Sequence, residues 1–260
     1  MPAVTLDLWH TLMFLPPDAE ERYMETQVEV ARRALAAANR RPGAPDRTEV
    51  ELGRAFEREY GRAVALAGEG VTVTPAEQFR RTAEATGRDA DVGAYLAALE
   101  PVVRQVAFER APGALELLRS LREDGYGVAV ISNTVGEPGA FLRPSLTAMG
   151  FDPYVQAYVF SDELPWAKPA PEIFRTALSG LGASPEEAVH VGDGWSDIEG
   201  ARRAGYRAGI LFTGLQEYGE RYRRLFLPEG WAHPPSEHVA RRLEEVGTLV
   251  RELLPIGAGR

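Results

Sequence analysis

Runs of consecutive apolar residues alternate along this chain with segments whose apolar positions recur every three to four residues, a pattern that predicts strands and helices in turn. The runs at Val4-Leu8, Gly127-Ile131, Ala157-Phe160, Ala188-Val191 and Ala208-Phe212 read as strands buried on both faces. Pro112-Gly113 followed by Leu115, Leu117, Leu118 and Leu121 predicts an amphipathic helix. It should end at Asp124-Gly125, where glycine can take the left-handed cap. Further helices are predicted at about Gly139 to Met149, Ala170 to Leu181, Ser196 to Ala204 and Ser236 to Leu254. Strands alternating with helices in this way imply an α/β architecture, a doubly wound parallel sheet covered on both faces.

The interval 16–110 has helical periodicity and no convincing strand. Thr48-x-x-Glu51 and Thr74-Pro75-x-Glu77 read as capping boxes, and Pro42-Gly43-Ala44-Pro45 and Gly68-Glu69-Gly70 punctuate the helices. We read this interval as an all-helical insert, with residues 1–15 and 111–260 forming the α/β unit. Leu15-Pro16-Pro17 and Ala111-Pro112-Gly113 bracket the insert as hinge positions suited to a lid. The sequence holds no internal repeat or low-complexity tract.

Composition narrows the function. The 260 residues are 45% hydrophobic, enough for a sizeable core, and carry a formal net charge of −9. Without a basic cluster, this charge argues against nucleic acid and for a small-molecule partner. The absence of cysteine excludes disulfides, thiolate catalysis and cysteine-ligated zinc. Met1 to Leu15 has no basic region and carries Asp7 within its apolar run, so neither a signal peptide nor a membrane span is expected, and we read a cytoplasmic protein. Of 29 Lys and Arg residues only Lys168 is lysine. Retention of one compact ammonium where every other cation is a guanidinium marks that position for scrutiny.

In an open α/β sheet, ligands bind beyond the carboxyl ends of the strands. Asp7 lies at the end of the first strand, followed by Trp9, His10 and Thr11. Ser132-Asn133-Thr134 ends the second, Lys168 is expected to open the helix after the third, and Asp193 ends the fourth with Asp197 four residues on. Taken singly, each has an ordinary structural reading: Asp7 as a cap or loop acid, Ser132 as a turn residue, Asp193 and Asp197 as turn and cap. As a set they supply a nucleophilic carboxylate, donors and a cation for an anionic group, and paired acids suited to a hard divalent ion such as Mg²⁺.

The ordered segments Val4-Thr5-Leu6-Asp7-Leu8-Trp9-His10-Thr11-Leu12, Val130-Ile131-Ser132-Asn133-Thr134, Lys168-Pro169-x-Pro171-Glu172-Ile173-Phe174 and Val191-Gly192-Asp193-x-x-x-Asp197 resemble the four motifs of the haloacid dehalogenase-like hydrolases. The resemblance spans nearly the whole chain. It implies a Rossmann-like core with an inserted helical cap, Asp7 as nucleophile, and Ser132 and Lys168 as holders of the transferring group. It also implies substrate contacts from Thr11 and Asn133. Mg²⁺ is implied at Asp7, Asp193 and the backbone carbonyl of Trp9, supported by Asp197, in an enzyme acting on a small phosphorylated metabolite through an aspartyl-phosphate.

One position departs from the pattern. Phosphatases of the family carry a second aspartate two residues after the nucleophile, to protonate the leaving oxygen and then activate water, and here that residue is Trp9. Loss of a general acid/base costs about 10²–10⁴ in rate. His10, where the family usually has glycine, is a candidate substitute through its near-neutral pKa, and a cap carboxylate is another. An aromatic at this position is also similar to the dehalogenase branch, which expels halide without protonating it. Asp193 weighs against that alternative, since its charge would repel a haloacid's carboxylate. A third reading, a non-catalytic ligand-binding or scaffold protein, leaves the retention of Asp7, Lys168 and Asp193 without purpose.

Overall fold

The computed structural model describes residues 1–215 and 236–256. β1 (Ala3–Leu6) leads through the short β2 (Met13–Phe14) into four consecutive helices, α1 (Pro17–Ala37), α2 (Glu49–Gly68), α3 (Pro75–Ala85) and α4 (Val92–Gln105). The chain returns through β3 (Glu109–Arg110) to α5 (Ala114–Glu123), β4 (Gly127–Ser132), α6 (Gly139–Ala148), β5 (Ala157–Phe160), α7 (Pro171–Leu181), β6 (Ala188–Gly192), α8 (Trp195–Ala204) and β7 (Ala208–Phe212). β8 (His238–Ala240) and α9 (Leu243–Leu253) complete the described chain.

The six-stranded sheet has the order β5-β4-β1-β6-β7-β8, and each neighbouring pair is parallel. Every residue of β1, β4 and β6 is buried, which accounts for apolar runs without polar alternation. Side chains still alternate between faces. Val4, Leu6, Val128, Val130, Val189 and Val191 point to one core with Leu117, Leu118 and Leu121 of α5 and Leu243 and Val246 of α9. Ala3, Ala129, Ile131 and Ala188 face a second core with Ile173 and Phe174 of α7 and Ala201 of α8. The first core continues into the helical segment, where Leu35, Phe79 and Tyr95 are fully buried.

Several local expectations need correction. The helix predicted from Ser236 begins only at Leu243. His238–Ala240 instead form the edge strand β8, paired with β7, a segment too short for its period to be distinguished in sequence. The interval read as wholly helical ends in β3, which pairs antiparallel with β2 to make a two-stranded ribbon where the helical segment joins the sheet. Thr48 and Glu51 form the expected reciprocal box. Thr74 caps α3 by accepting from the Glu77 N–H at 3.2 Å, but the Glu77 carboxylate turns to Arg81 at 2.9 Å, so only half of that box forms. Asp124 does cap α5, with Gly125 beyond it at φ +92°.

Candidate active site

β1, β4 and β6 lie side by side at the point where the chain's winding reverses direction, so the residues following each strand converge at one edge of the sheet. Asp7 follows β1, its backbone N–H donating to the Val191 carbonyl of β6 at 2.8 Å. Ser132 ends β4, Asp193 follows β6, and Asp197 lies in the first turn of α8. Together with Lys168 these residues line one cavity of about 240 Å³. A carboxylate oxygen from each of Asp7, Asp193 and Asp197 lies within 4.8 Å of the other two.

Lys168 does not open a helix as expected. It sits in a turn ahead of α7, whose first residue is Pro171, because prolines at 169 and 171 break the pattern that far upstream. Asn133 holds that turn: its Nδ2 donates to the Lys168 carbonyl at 3.0 Å and its Oδ1 accepts from the Lys168 N–H at 2.7 Å. Both polar atoms of Asn133 thereby position lysine. The buried ammonium donates to Asp7 Oδ1 and, at 2.6 Å, to Asp197 Oδ1. Asp197 also accepts from the Gly194 N–H at 3.0 Å and lies 3.1 Å from His190 Nε2. The other His190 nitrogen lies 2.8 Å from the Thr5 hydroxyl of β1.

These contacts divide the carboxylates by role. Burial pushes the Asp7 carboxyl up to about 7, reinforced by Asp197 and Asp193 against the opposing pull of Lys168. Burial also works against the charge on Asp197, but Lys168 and the hydrogen bond from His190 outweigh it and hold that group below the usual carboxylate range. Lys168 is likewise desolvated, yet Asp197 and Asp7 hold it above its ordinary range. Three carboxylates therefore gather here, with one ammonium between two of them. The excess of negative charge on an oxygen-only donor set fits a hard divalent cation such as Mg²⁺. Since Asp197 is already engaged through both oxygens, Asp7 and Asp193 are the acids suited to hold the ion.

The first motif folds with His10 at φ +56°. Only glycine adopts this left-handed backbone without steric cost. His10 Nε2 lies 3.3 Å from Glu20 Oε1 in α1, and its Nδ1 lies 4.0 Å from Asp193 Oδ2. The Trp9 ring faces the helical segment, stacked near Tyr23 at a centroid distance of 6.4 Å and edge-on to Phe108 at 5.4 Å. Ser132 Oγ is buried, lines the cavity and has no hydrogen-bond partner among the described residues. Thr11 Oγ1 is also buried and without such a partner, but Thr11 does not line the cavity.

The sequence matches the haloacid dehalogenase-like hydrolases over residues 1–205. The chain belongs to this family. Among curated relatives, it is 32% identical over 117 residues to a pyrophosphatase PpaX of Halalkalibacterium halodurans, covering 45% of this chain and 52% of that protein. It is 35% identical over 103 residues to a phosphoglycolate phosphatase of Nitrosococcus oceani, covering 40% and 44%. These matches thus span about half the length of the relatives. Among solved structures, a 2-haloacid dehalogenase of Pseudomonas syringae superposes with a TM-score of 0.63 at 20% identity, covering 97% of this chain and 99% of that one, a likeness of fold.

Three residues of this haloacid dehalogenase-like hydrolase escaped sequence reasoning by name. Glu137, on the loop after β4, is buried and lines the cavity, accepting from Tyr23 Oη at 3.1 Å and Gln27 Nε2 at 3.0 Å, both from α1. Burial raises its carboxyl to about 7, against the lowering effect of those two donors and of the Trp9 indole N–H. Glu20 of α1 lines the cavity 3.3 Å from His10, though nothing in its local sequence distinguishes it from its neighbour Glu21. His190 lies inside an apolar strand run, and only its fully buried contact with Asp197 reveals its part in holding the site.

Proposed function

We propose that this chain is a Mg²⁺-dependent phosphatase of small phosphorylated metabolites, acting through an aspartyl-phosphate on Asp7. The observation that carries this reading is the single ammonium of Lys168 seated between Asp7 and Asp197 with Asp193 alongside. The phosphatases among the relatives support it. Residues 16–110 act as the substrate-selecting cap, hinged at the β2/β3 ribbon.

Asp7 attacks phosphorus, so that a carboxylate oxygen–phosphorus bond forms as the ester phosphorus–oxygen bond breaks, and water then cleaves the acyl phosphate to return the carboxylate and release phosphate. Lys168 and the unpartnered Ser132 hydroxyl hold the phosphoryl oxygens, where their charge and dipole stabilise the transition state. Asp7, Asp193 and the Trp9 backbone carbonyl are the groups that would hold Mg²⁺, which would supply charge neutralisation to the nucleophile and the phosphate. Indole neither gives nor takes a proton in this chemistry, so His10, bridging Glu20 and Asp193, is the group assigned to carry a proton to the leaving oxygen.

A panel of phosphate esters and 2-haloacids, assayed with Mg²⁺ and with chelator, tests the reading. Ester hydrolysis that disappears with chelator is expected. Trp9→Asp should raise turnover most for esters of poor leaving groups and least for activated aryl phosphates, which need little protonation. Chelator-insensitive turnover confined to 2-haloacids would place the chain among dehalogenases instead. Inactivity of the folded, Mg²⁺-loaded protein on every compound would favour the non-catalytic reading.

A further inference from the structure

The cavity that holds Asp7 and Lys168 is aromatic and acidic over much of the rest of its lining, with Trp9, Tyr23 and Tyr60 beside Glu20 and Glu137. Glu137 is only 5% exposed, and the donors that reach it, Tyr23 Oη and Gln27 Nε2 from α1 and the Trp9 indole N–H, are all neutral. No described lysine or arginine pairs with it, and Lys168, the one such residue lining the cavity among those described, is committed to Asp7 and Asp197. A carboxylate buried without a counterion is costly, and a cationic ligand group removes that cost. Aromatic rings next to carboxylates are the surroundings that attract an ammonium. The unpartnered, buried Ser132 hydroxyl in the same cavity independently marks it as built for a ligand.

We propose that the substrate is the phosphate monoester of a small amino alcohol, its phosphate at Ser132 and Lys168 and its ammonium among Glu137, Trp9 and Tyr23. This rests on the phosphatase reading and adds the class of alcohol. It also accounts for Trp9, since the side chain that replaces the family's second aspartate becomes a wall of the ammonium site. A carboxylate at the same end of the substrate would meet Glu137, beside which no described lysine or arginine stands to receive it.

The test compares kcat/KM in the presence of Mg²⁺ for ethanolamine phosphate, for n-propyl phosphate, which has methyl in place of ammonium, and for 2-phosphoglycolate, which carries a carboxylate. Wild type should prefer ethanolamine phosphate to propyl phosphate by about tenfold, as expected for one desolvated cation–aromatic and charge contact, and should use phosphoglycolate least. Glu137→Gln should bring the ratio of the first two close to one. Equal or reversed preference in wild type, or an unchanged ratio in a folded variant, overturns the proposal. If the variant does not fold, quenching of tryptophan fluorescence in wild type by choline against its uncharged isostere 3,3-dimethylbutan-1-ol decides the matter. Saturable binding of choline alone supports the ammonium site; equal binding or none refutes it. Failure to hydrolyse any ester, p-nitrophenyl phosphate included, would sink the phosphatase reading, while the choline comparison would still judge the ammonium site.

Discussion

Lys168 shows how much one side chain's shape matters at this site. Its ammonium is buried against Asp7 and Asp197 and its backbone is clamped by Asn133. A guanidinium is wider, planar and rigid, and would have to displace its neighbours to enter a position that is 3% exposed. Lys168→Arg is therefore expected to lower kcat by about 10² or more, in line with loss of one preorganised donor to the transferring group, while melting stays cooperative. Steady-state kinetics beside thermal denaturation would check this, and an Arg variant with wild-type kcat would show that position 168 needs only positive charge. The lysine's singularity was legible in composition alone. Its two acidic partners were legible as candidates, but the clamp by Asn133 was not, because an asparagine at a strand end is indistinguishable from any turn former.

At the level of elements, the site depends on how closely α7 and α8 approach. Gly200 in α8 has no side chain because a Cβ there would lie 2.2 Å from Phe174 Cε2 of α7. Phe174 in turn packs edge-on to His190 at a centroid distance of 4.9 Å, and His190 supports Asp197. Gly200→Ala should overpack this layer and destabilise the fold by about 1–3 kcal/mol. Because the displaced ring bears on His190, kcat should fall as well. Denaturant unfolding and initial rates on the same preparation would measure both, and unchanged stability would mean that the two helices separate without cost. The strands and most helices were legible from periodicity, with ends that agree to within two residues. β8 and the β2/β3 ribbon were not, since pairing over two or three residues carries no period and exists only where a partner lies alongside.

For the molecule as a whole, Glu137 ties the loop after β4 to α1 through Tyr23 and Gln27. Burial raises its carboxyl from 4.5 to about 7, so between these values the folded state binds a proton that the unfolded state releases. Stability from this group is fully present below about pH 4.5 and is lost as pH rises through 7. Relative to Glu137→Gln, wild type should lose up to about 3 kcal/mol between pH 4.5 and 8, which chemical denaturation of both proteins across that range would reveal. Parallel pH profiles would mean that Glu137 is ionised throughout and compensated by its donors.

The sequence by itself determined the α/β class, the succession of the five longer sheet strands along the chain and the convergence of Asp7, Ser132, Asp193 and Asp197, because these follow from local periodicity and from the rule that strand ends share an edge. Only the tertiary structure decided which residues complete the site. Glu20, Tyr23, Gln27 and Glu137 have ordinary neighbours in sequence, and they become one aromatic and acidic wall when α1 packs against the loop after β4. The burial of Tyr23, Gln27 and Glu137 together, and the raised proton affinity of Tyr23 and Glu137, arise from contacts between segments more than a hundred residues apart. No local pattern encodes such contacts.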